Sequence, residues 1–400
     1  MDFLDFQIRG WLADKSHVQA LVHSSPVGGM RKPVMIPIRN DLLVRTRNTY
    51  QNSYACEEGK KGDLIKLGQR LAQLLLSPPV FSMLIRSLEH VNSSDGLRIR
   101  LCLDAPLIDL PWEYLYRPDA RDASSLEGFL ILDPRISLVR EAPNLSFRLK
   151  PSPKPQRLVF IGTFGPEGDD PYEVEKEYDL LTEALAGLRD LVTIDYRKAS
   201  PDYIDKALTK QSAIFHYAGH INFFDGCGYL AGDWSTDKNK WLSCFLLANY
   251  FIRSGTRLGV FNACCSGRWE FMEPLIRSGL QAAIGIQGLI SNAAAIAFCK
   301  KLYSALSIGL SLDESVTWAR LHLLEPGVLT KDESLAWGTF MVYMPATNAV
   351  IFPRPQSKEI RNRQTDIRRQ RQQTIINVYQ SIGTVQGGQV VGVSGRIQPT

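Results

Sequence analysis

The chain has 400 residues, is 44% hydrophobic and 22% charged, and carries a formal net charge of +5. That is enough chain for two compact units with the composition of a folded globular protein, which excludes disordered and fibrous classes. No apolar run approaches the roughly 20 residues needed to span a bilayer, and the acidic start MDFLDF is not a secretory leader, so membrane and secreted classes are set aside.

In chain order, periodicity first predicts a helix over 64–76, with Leu64, Leu67, Leu71, Leu74 and Leu75 at helical spacing. LRIRLCL (97–103) alternates and reads as a half-buried strand, and FLILD and ISLVRE within 129–141 read as two more. KPSPKPQ (150–156) holds three prolines and cannot continue a helix or a central strand, so it marks a boundary. Residues 1–150 are then a small mixed α/β subdomain and 151–353 a second unit. There RLVFIGT, LVTIDY, SAIFHYAG, TRLGVFNA and QAAIGIQG read as five strands, the first a near-continuous apolar run suited to a buried parallel strand. Helices are expected over 172–188, in WLSCFLLANYFIRSG, after the paired cysteines, and near 291–307 and 311–324; LAWGTFMVYM is a last strand. This alternation specifies an α/β sandwich with a mostly parallel central sheet and helices on both faces.

Residues 354–373 form a basic linker, and 354–371 hold seven Arg or Lys against two carboxylates, an excess equal to that of the whole chain. The body is therefore near neutral and offers no nucleic-acid surface. Residues 374–400 alternate β-branched residues with Gly, Ser and Gln, a short β-like segment that would need a partner surface.

Functional groups in parallel sheets gather at the carboxyl ends of strands. Two such ends carry chemistry here: His216-Tyr217-Ala218-Gly219-His220, and Asn262-Ala263-Cys264-Cys265-Ser266-Gly267. A cysteine at a strand-to-helix junction feels the helix N-terminus, which favours thiolate. A nearby imidazole would take its proton and return it to a leaving amine, and backbone N–H groups beside the cysteine would hold an oxyanion. The seven cysteines form no CxxC pair and no zinc-type Cys/His grouping, so neither metal nor cofactor is expected, and a reducing cytoplasmic setting fits.

HYAGH followed by NACCSG, with LPWEYLY (110–116), FLILDPRISLVR (129–140), SLDESVTWAR (311–320) and LAWGTFMVY (335–343), resembles the CHAT peptidases, bacterial relatives of caspases and separase. The resemblance covers roughly residues 60 to 345. It implies a caspase-like fold, His220 as general base and acid, Cys264 as nucleophile, and the backbone N–H groups of Ile221 and Cys264 as the oxyanion hole. The family usually has glycine where this chain has Ile221; the N–H is retained, but a β-branched residue restricts the backbone.

Asn262, two residues before Cys264, is expected to line the substrate pocket. Asp169 and Asp170 on the loop PEGDDPYEVE suggest cleavage after Arg or Lys, although the same acids would serve as a helix cap. His216 reads as a structural histidine beneath the site, Cys265 as a spectator, Cys102, Cys244 and Cys299 as core, and PWEYL as a lock between the subdomains. The leading expectation is a cysteine endopeptidase that cleaves a protein partner in a bacterial defence or cell-death pathway. A regulatory protein on the C-terminal segment and a sheet-edge homodimer are its expected contacts, with no membrane. The alternative is a catalytically inert interaction scaffold; a thiol oxidoreductase lacks the required cysteine spacing.

Overall fold

The computed structural model describes residues 3–38, 61–92, 95–120, 122, 125–141, 155–164, 173–232, 240–330, 333–345 and 351–352. The basic linker, the β-like segment, Asp169 and Asp170 lie outside the described residues.

The N-terminal half opens with three strands that the sequence reading did not anticipate. β1 (Phe3–Asp14) and β2 (His17–Ser24) are an antiparallel pair that buries Phe6, Ile8, Val18, Ala20 and Val22 by strict alternation. β3 (Val34–Pro37) pairs with β2. Helix α1 (Lys61–Leu75) buries the leucine stripe expected of it, and α2 (Pro78–His90) starts on prolines whose missing N–H is no loss in a first turn. β4 (Gly96–Leu103) runs parallel to β1, and β5 (Ile136–Glu141) parallel to β4.

FLILD is not a strand. Leu126–Gly128 and Leu130–Leu132 are short 3-10 turns, and only the Tyr116–Phe129 bridge survives of the expected ladder. Gly128 lies flat against the Tyr116 ring, where a Cβ would meet ring atoms at 2.0 Å, and the turns bury Leu130, Ile131 and Leu132 together.

The second half alternates as expected. Its elements are β6 (Gln156–Gly162), α3 (Val174–Ala184), β7 (Val192–Lys198), α4 (Pro201–Ala207) and β8 (Ile214–Ala218). A separate three-stranded sheet interrupts: β9 (Ile221–Phe224), β10 (Cys227–Ala231) and β11 (Trp241–Ser243). Trp241–Ser243 was expected to be helical, but Ser243 instead caps α5 (Cys244–Ser254) by accepting from Leu246 N–H, and Gly255 closes that helix in the left-handed region at φ 69°. Then come β12 (Leu258–Asn262), α6 (Trp269–Arg277), β13 (Ala282–Ile286), α7 (Asn292–Ser307), α8 (Leu312–His322) and β14 (Phe340–Tyr343). The last strand is shorter than expected because Glu333–Gly338 forms a 3-10 turn, which seats Trp337 against the Tyr114 ring at 4.9 Å.

One eleven-stranded sheet in the order β3-β2-β1-β4-β5-β14-β13-β12-β8-β6-β7 crosses both halves, and most of its pairings are parallel. Its two edges are β3 and β7. The PWEYL segment lies at the seam: Tyr114 donates its hydroxyl to Leu335 O at 3.1 Å, and buried Glu113 meets buried Arg140 at 2.5 Å. Asp313 on α8 reaches back to Arg98 (2.5 Å) and Ser137 (2.7 Å) on β4 and β5. No single helix among the described residues is long and apolar enough to cross a membrane.

Candidate active site

Strands β8 and β12 are parallel neighbours, and their last registered pair is Ala218 with Asn262. Each chain then runs two residues further, to His220 and to Cys264. The two candidates therefore follow the carboxyl ends of adjacent strands at the same sequence distance from one paired position, where strand-end chemistry is expected.

The turn that carries His220 is built by its neighbours. A Cβ at Gly219 would meet Thr163 Oγ1 at 2.3 Å, so only glycine fits. The Tyr217 hydroxyl accepts from His220 N–H at 3.2 Å, lies 2.6 Å from His220 O, and also contacts Thr163 Oγ1 at 2.9 Å. Tyr217 thus fixes the backbone from which the imidazole projects. His220 keeps a face open to solvent. Burial of the rest of the ring pushes its pKa below the ordinary value, against a hydrogen bond with the Asn222 side chain that favours protonation.

The Cys264 turn is as closely held. Cys265 takes a left-handed φ of 61° and gives its N–H to Gly288 O at 2.8 Å, while Gly267 N–H goes to Ile286 O at 2.8 Å. Ser266 Oγ donates to Phe261 O and accepts from Ile286 N–H, both at 2.8 Å. A Cβ on Gly267 would meet Met341 Sδ at 2.4 Å. The Cys264 N–H is directed at its own thiol, and the sulfur is half-buried, 4.0 Å from Ile290 O. Asp109, from the N-terminal half, accepts from Trp269 N–H at 2.8 Å and so caps α6.

These turns are held by residues the family pattern names, and the chain can be placed. The sequence model of the CHAT domain matches residues 66–345, more than half of the chain. This protein belongs to the CHAT domain family. No curated protein matches it in sequence. Among solved structures it is similar to the Arg-specific cysteine proteinase gingipain R, the RgpB of Porphyromonas gingivalis, at 13% identity and TM-score 0.46 over 74% of this chain and 77% of that one. It is similar to Saccharomyces cerevisiae separase in complex with securin at 14% identity and TM-score 0.39, over 78% of this chain and 20% of that one. For the Drosophila initiator caspase Dronc the figures are 12%, 0.35, and 51% and 86%.

Within this CHAT domain, Ile221 begins β9, opposite Leu230, with its side chain buried. A β-branched residue is at home in such a strand, so its backbone is extended there. Helix α6 starts at Trp269, four residues beyond the Cys264–Cys265 pair, whereas the sequence pattern suggested a thiolate held by the helix end. That field fades within one turn, and burial instead pushes both cysteine thiols above their ordinary values. Burial thus favours the neutral form of both the Cys264 thiol and the His220 imidazole. Asn262, expected to face substrate, gives its side-chain amide to Glu177 Oε2 at 2.6 Å.

Sequence reasoning missed Glu177, Tyr217 and Asn222. His216 is fully buried, stacked on Phe160 at 4.7 Å, with Nε2 at 2.9 Å from Glu177 and Nδ1 at 3.0 Å from Tyr303 OH. Glu177, His216 and Cys299 place ligand atoms within 4.8 Å of one another, a grouping a cation could use; here His216 and Glu177 hydrogen-bond each other.

Proposed function

We propose that this CHAT domain is a cysteine endopeptidase working through His220 and Cys264. The observation that supports it is the register of β8 and β12, which carries both side chains equally far past one paired position. His220 takes the thiol proton as Cys264 sulfur adds to the scissile carbonyl. The oxyanion is held by backbone N–H groups, with those of Cys264 and Ile221 as candidates. His220 then protonates the leaving amine, and water, deprotonated by the same imidazole, hydrolyses the thioester. Asn262 borders the pocket for the residue before the cut, and the acids Asp169 and Asp170 favour Arg or Lys there. The partner protein it cleaves, a regulator engaging residues 374–400, a sheet-edge homodimer, the cytoplasmic setting and a role in bacterial defence or cell death are parts of the same proposal.

The test is to profile the full-length chain on a peptide library and to treat it with a peptidyl fluoromethyl ketone. Cleavage after basic residues with the label on Cys264 is expected. Cleavage with no preference among Asp, Leu and Arg would remove the basic pocket. Neither cleavage nor label, with and without candidate partners, would leave the inert scaffold as the better account.

The pH dependence has a definite sign. The imidazole must be neutral to accept the thiol proton, and burial lowers its pKa from the ordinary 6.5, so the neutral form persists to lower pH. The acid limb of kcat/KM is therefore expected below pH 6.5. A limb at or above that value would show that the ring is not desolvated in the working enzyme.

A further inference from the structure

Beneath the two strand tips lies a buried carboxylate that the proposed chemistry does not use. Glu177 on α3 is 2% exposed. Its Oε1 lies 2.9 Å from His216 Nε2 on β8, and its Oε2 lies 2.6 Å from Asn262 Nδ2, at the end of β12. The Cys299 thiol of α7 lies within 4.8 Å of the same carboxylate, and burial together with the Glu177 charge keeps that thiol protonated. With Nε2–H given to Glu177, His216 Nδ1 is left to accept from the Tyr303 hydroxyl.

Two donors thus converge on one carboxylate, and both belong to the strands that lead to His220 and Cys264. Packing alone does not call for this. An apolar side chain of similar volume would fill the space without the several kcal/mol of desolvation that a buried ion incurs, on the order of the penalty known for such groups. What the carboxylate supplies is directionality, because each oxygen fixes one strand at hydrogen-bond distance from a common point.

We propose that Glu177 is a positioning residue that sets the separation of His220 and Cys264, gripping β8 through His216 and β12 through Asn262. This rests on the His220/Cys264 reading above. The last backbone link between the tips is Gly219 N–H to Asn262 O at 3.2 Å, and beyond it each tip is a turn. A small rotation of either strand end moves the sulfur and the imidazole apart, and a misplacement of about 1 Å can lower a rate about 100-fold. Asn262 on this view is a strut whose amide faces the core.

The experiment follows iodoacetamide alkylation of Cys264 by peptide mass spectrometry across pH, in the full-length chain, beside a thermal melt. Wild type is compared with His220→Ala, Glu177→Gln, Asn262→Leu and the double variant Glu177→Gln/Asn262→Asp. Glu177→Gln sets an amide N–H against a converging donor. At neutral pH it is expected to slow labelling by about tenfold and to abolish the His220-dependent plateau, while the melt stays cooperative. Asn262→Leu releases only the β12 arm and is expected to do the same, which gives a second reading should the first variant not fold. In the double variant the new amide oxygen accepts from His216 and its N–H donates to the new carboxylate at position 262. The grip is restored with reversed polarity, and most of the lost rate is expected to return.

Wild-type labelling and pH profile in both folded single variants would overturn the proposal. So would a loss that the double variant does not repair, since that is the mark of a merely structural role. If wild type labels no faster than His220→Ala, the dyad itself falls and the positioning role with it. Wild type faster than His220→Ala, with Glu177→Gln unchanged, sinks the positioning role alone.

Discussion

Replacing Cys264 by alanine is expected to reduce peptide hydrolysis by about 10⁴- to 10⁶-fold, the range seen when a nucleophile that acts as a unit with its base is removed. His220→Ala is expected to lose about 10²- to 10⁴-fold, the share that a positioned base and acid supplies. The double variant should be no worse than Cys264→Ala, because without the nucleophile the base has nothing to activate. None of the three should change stability much. The Cys264 sulfur is half-buried with a long, 4.0 Å contact to Ile290 O, and His220 is open to solvent on one face. The adjacent thiol provides the internal control. Cys265 faces Gly288 O at 3.7 Å, so Cys265→Ala should keep the peptidase rate within an order of magnitude. Activity that survives Cys264→Ala and dies in Cys265→Ala would reassign the nucleophile.

The largest effect on stability is expected at Glu113. This fully buried carboxylate meets fully buried Arg140 at 2.5 Å, and Arg140 also donates to Leu110 O at 3.0 Å. Arg320, on α8, is buried beside them. Burial brings its pKa down to about 10, with Glu113 holding it up and Arg140 pushing it down. Glu113→Ala therefore leaves Arg140 in the core without its ion-pair partner and removes a favourable charge acting on Arg320. Removing one partner of a buried pair costs about 3–5 kcal/mol, against a total stability of about 5–15 kcal/mol for a typical folded domain. Urea unfolding should show a much lower midpoint at unchanged slope. A loss under about 1 kcal/mol would mean that the guanidiniums find other solvation. Because the flanking Asp109 caps α6, the variant should also weaken the seat of the Cys264 turn, and labelling of Cys264 should heterogeneously broaden before the whole molecule unfolds.

Much of this architecture could be read from the chain. Long apolar runs such as RLVFIGT and TRLGVFNA gave β6 and β12, and chemistry at strand ends singled out His220 and Cys264, each two residues past the last registered pair of β8 and β12. The readings that failed did so for local reasons. FLILD has a strand's composition, but Gly128 must lie on the Tyr116 ring, and a 3-10 turn does that while burying consecutive leucines. β9 and β10 carried a legible signal that went unused: Asp225-Gly226, both at positive φ, is the two-residue hairpin turn expected between alternating strands. Glu177 was hidden among charges in VEKEYD, where an acid reads as a solvated helix face. Its spacing was the clue, because it falls three residues after Val174 and four before Leu181, on the buried stripe. Three side chains that define the site's geometry, Tyr217, Asn222 and Glu177, gain their meaning from partners on other elements, and no local pattern announces such a contact.

The order of strands has a consequence for how the molecule is made. β5 waits for β14, and the one registered pair between them joins Arg140 to Tyr343. At ribosomal rates of about 5–20 residues per second, the roughly 200 residues between them take on the order of 10–40 s to emerge. Throughout that interval the N-terminal strands present β5, whose residues are nearly all buried in the finished fold, as an open sheet edge. The finished sheet hides that edge in its middle. The nascent chain has to carry it exposed, and among the described strands the last to leave the ribosome is the one that covers it.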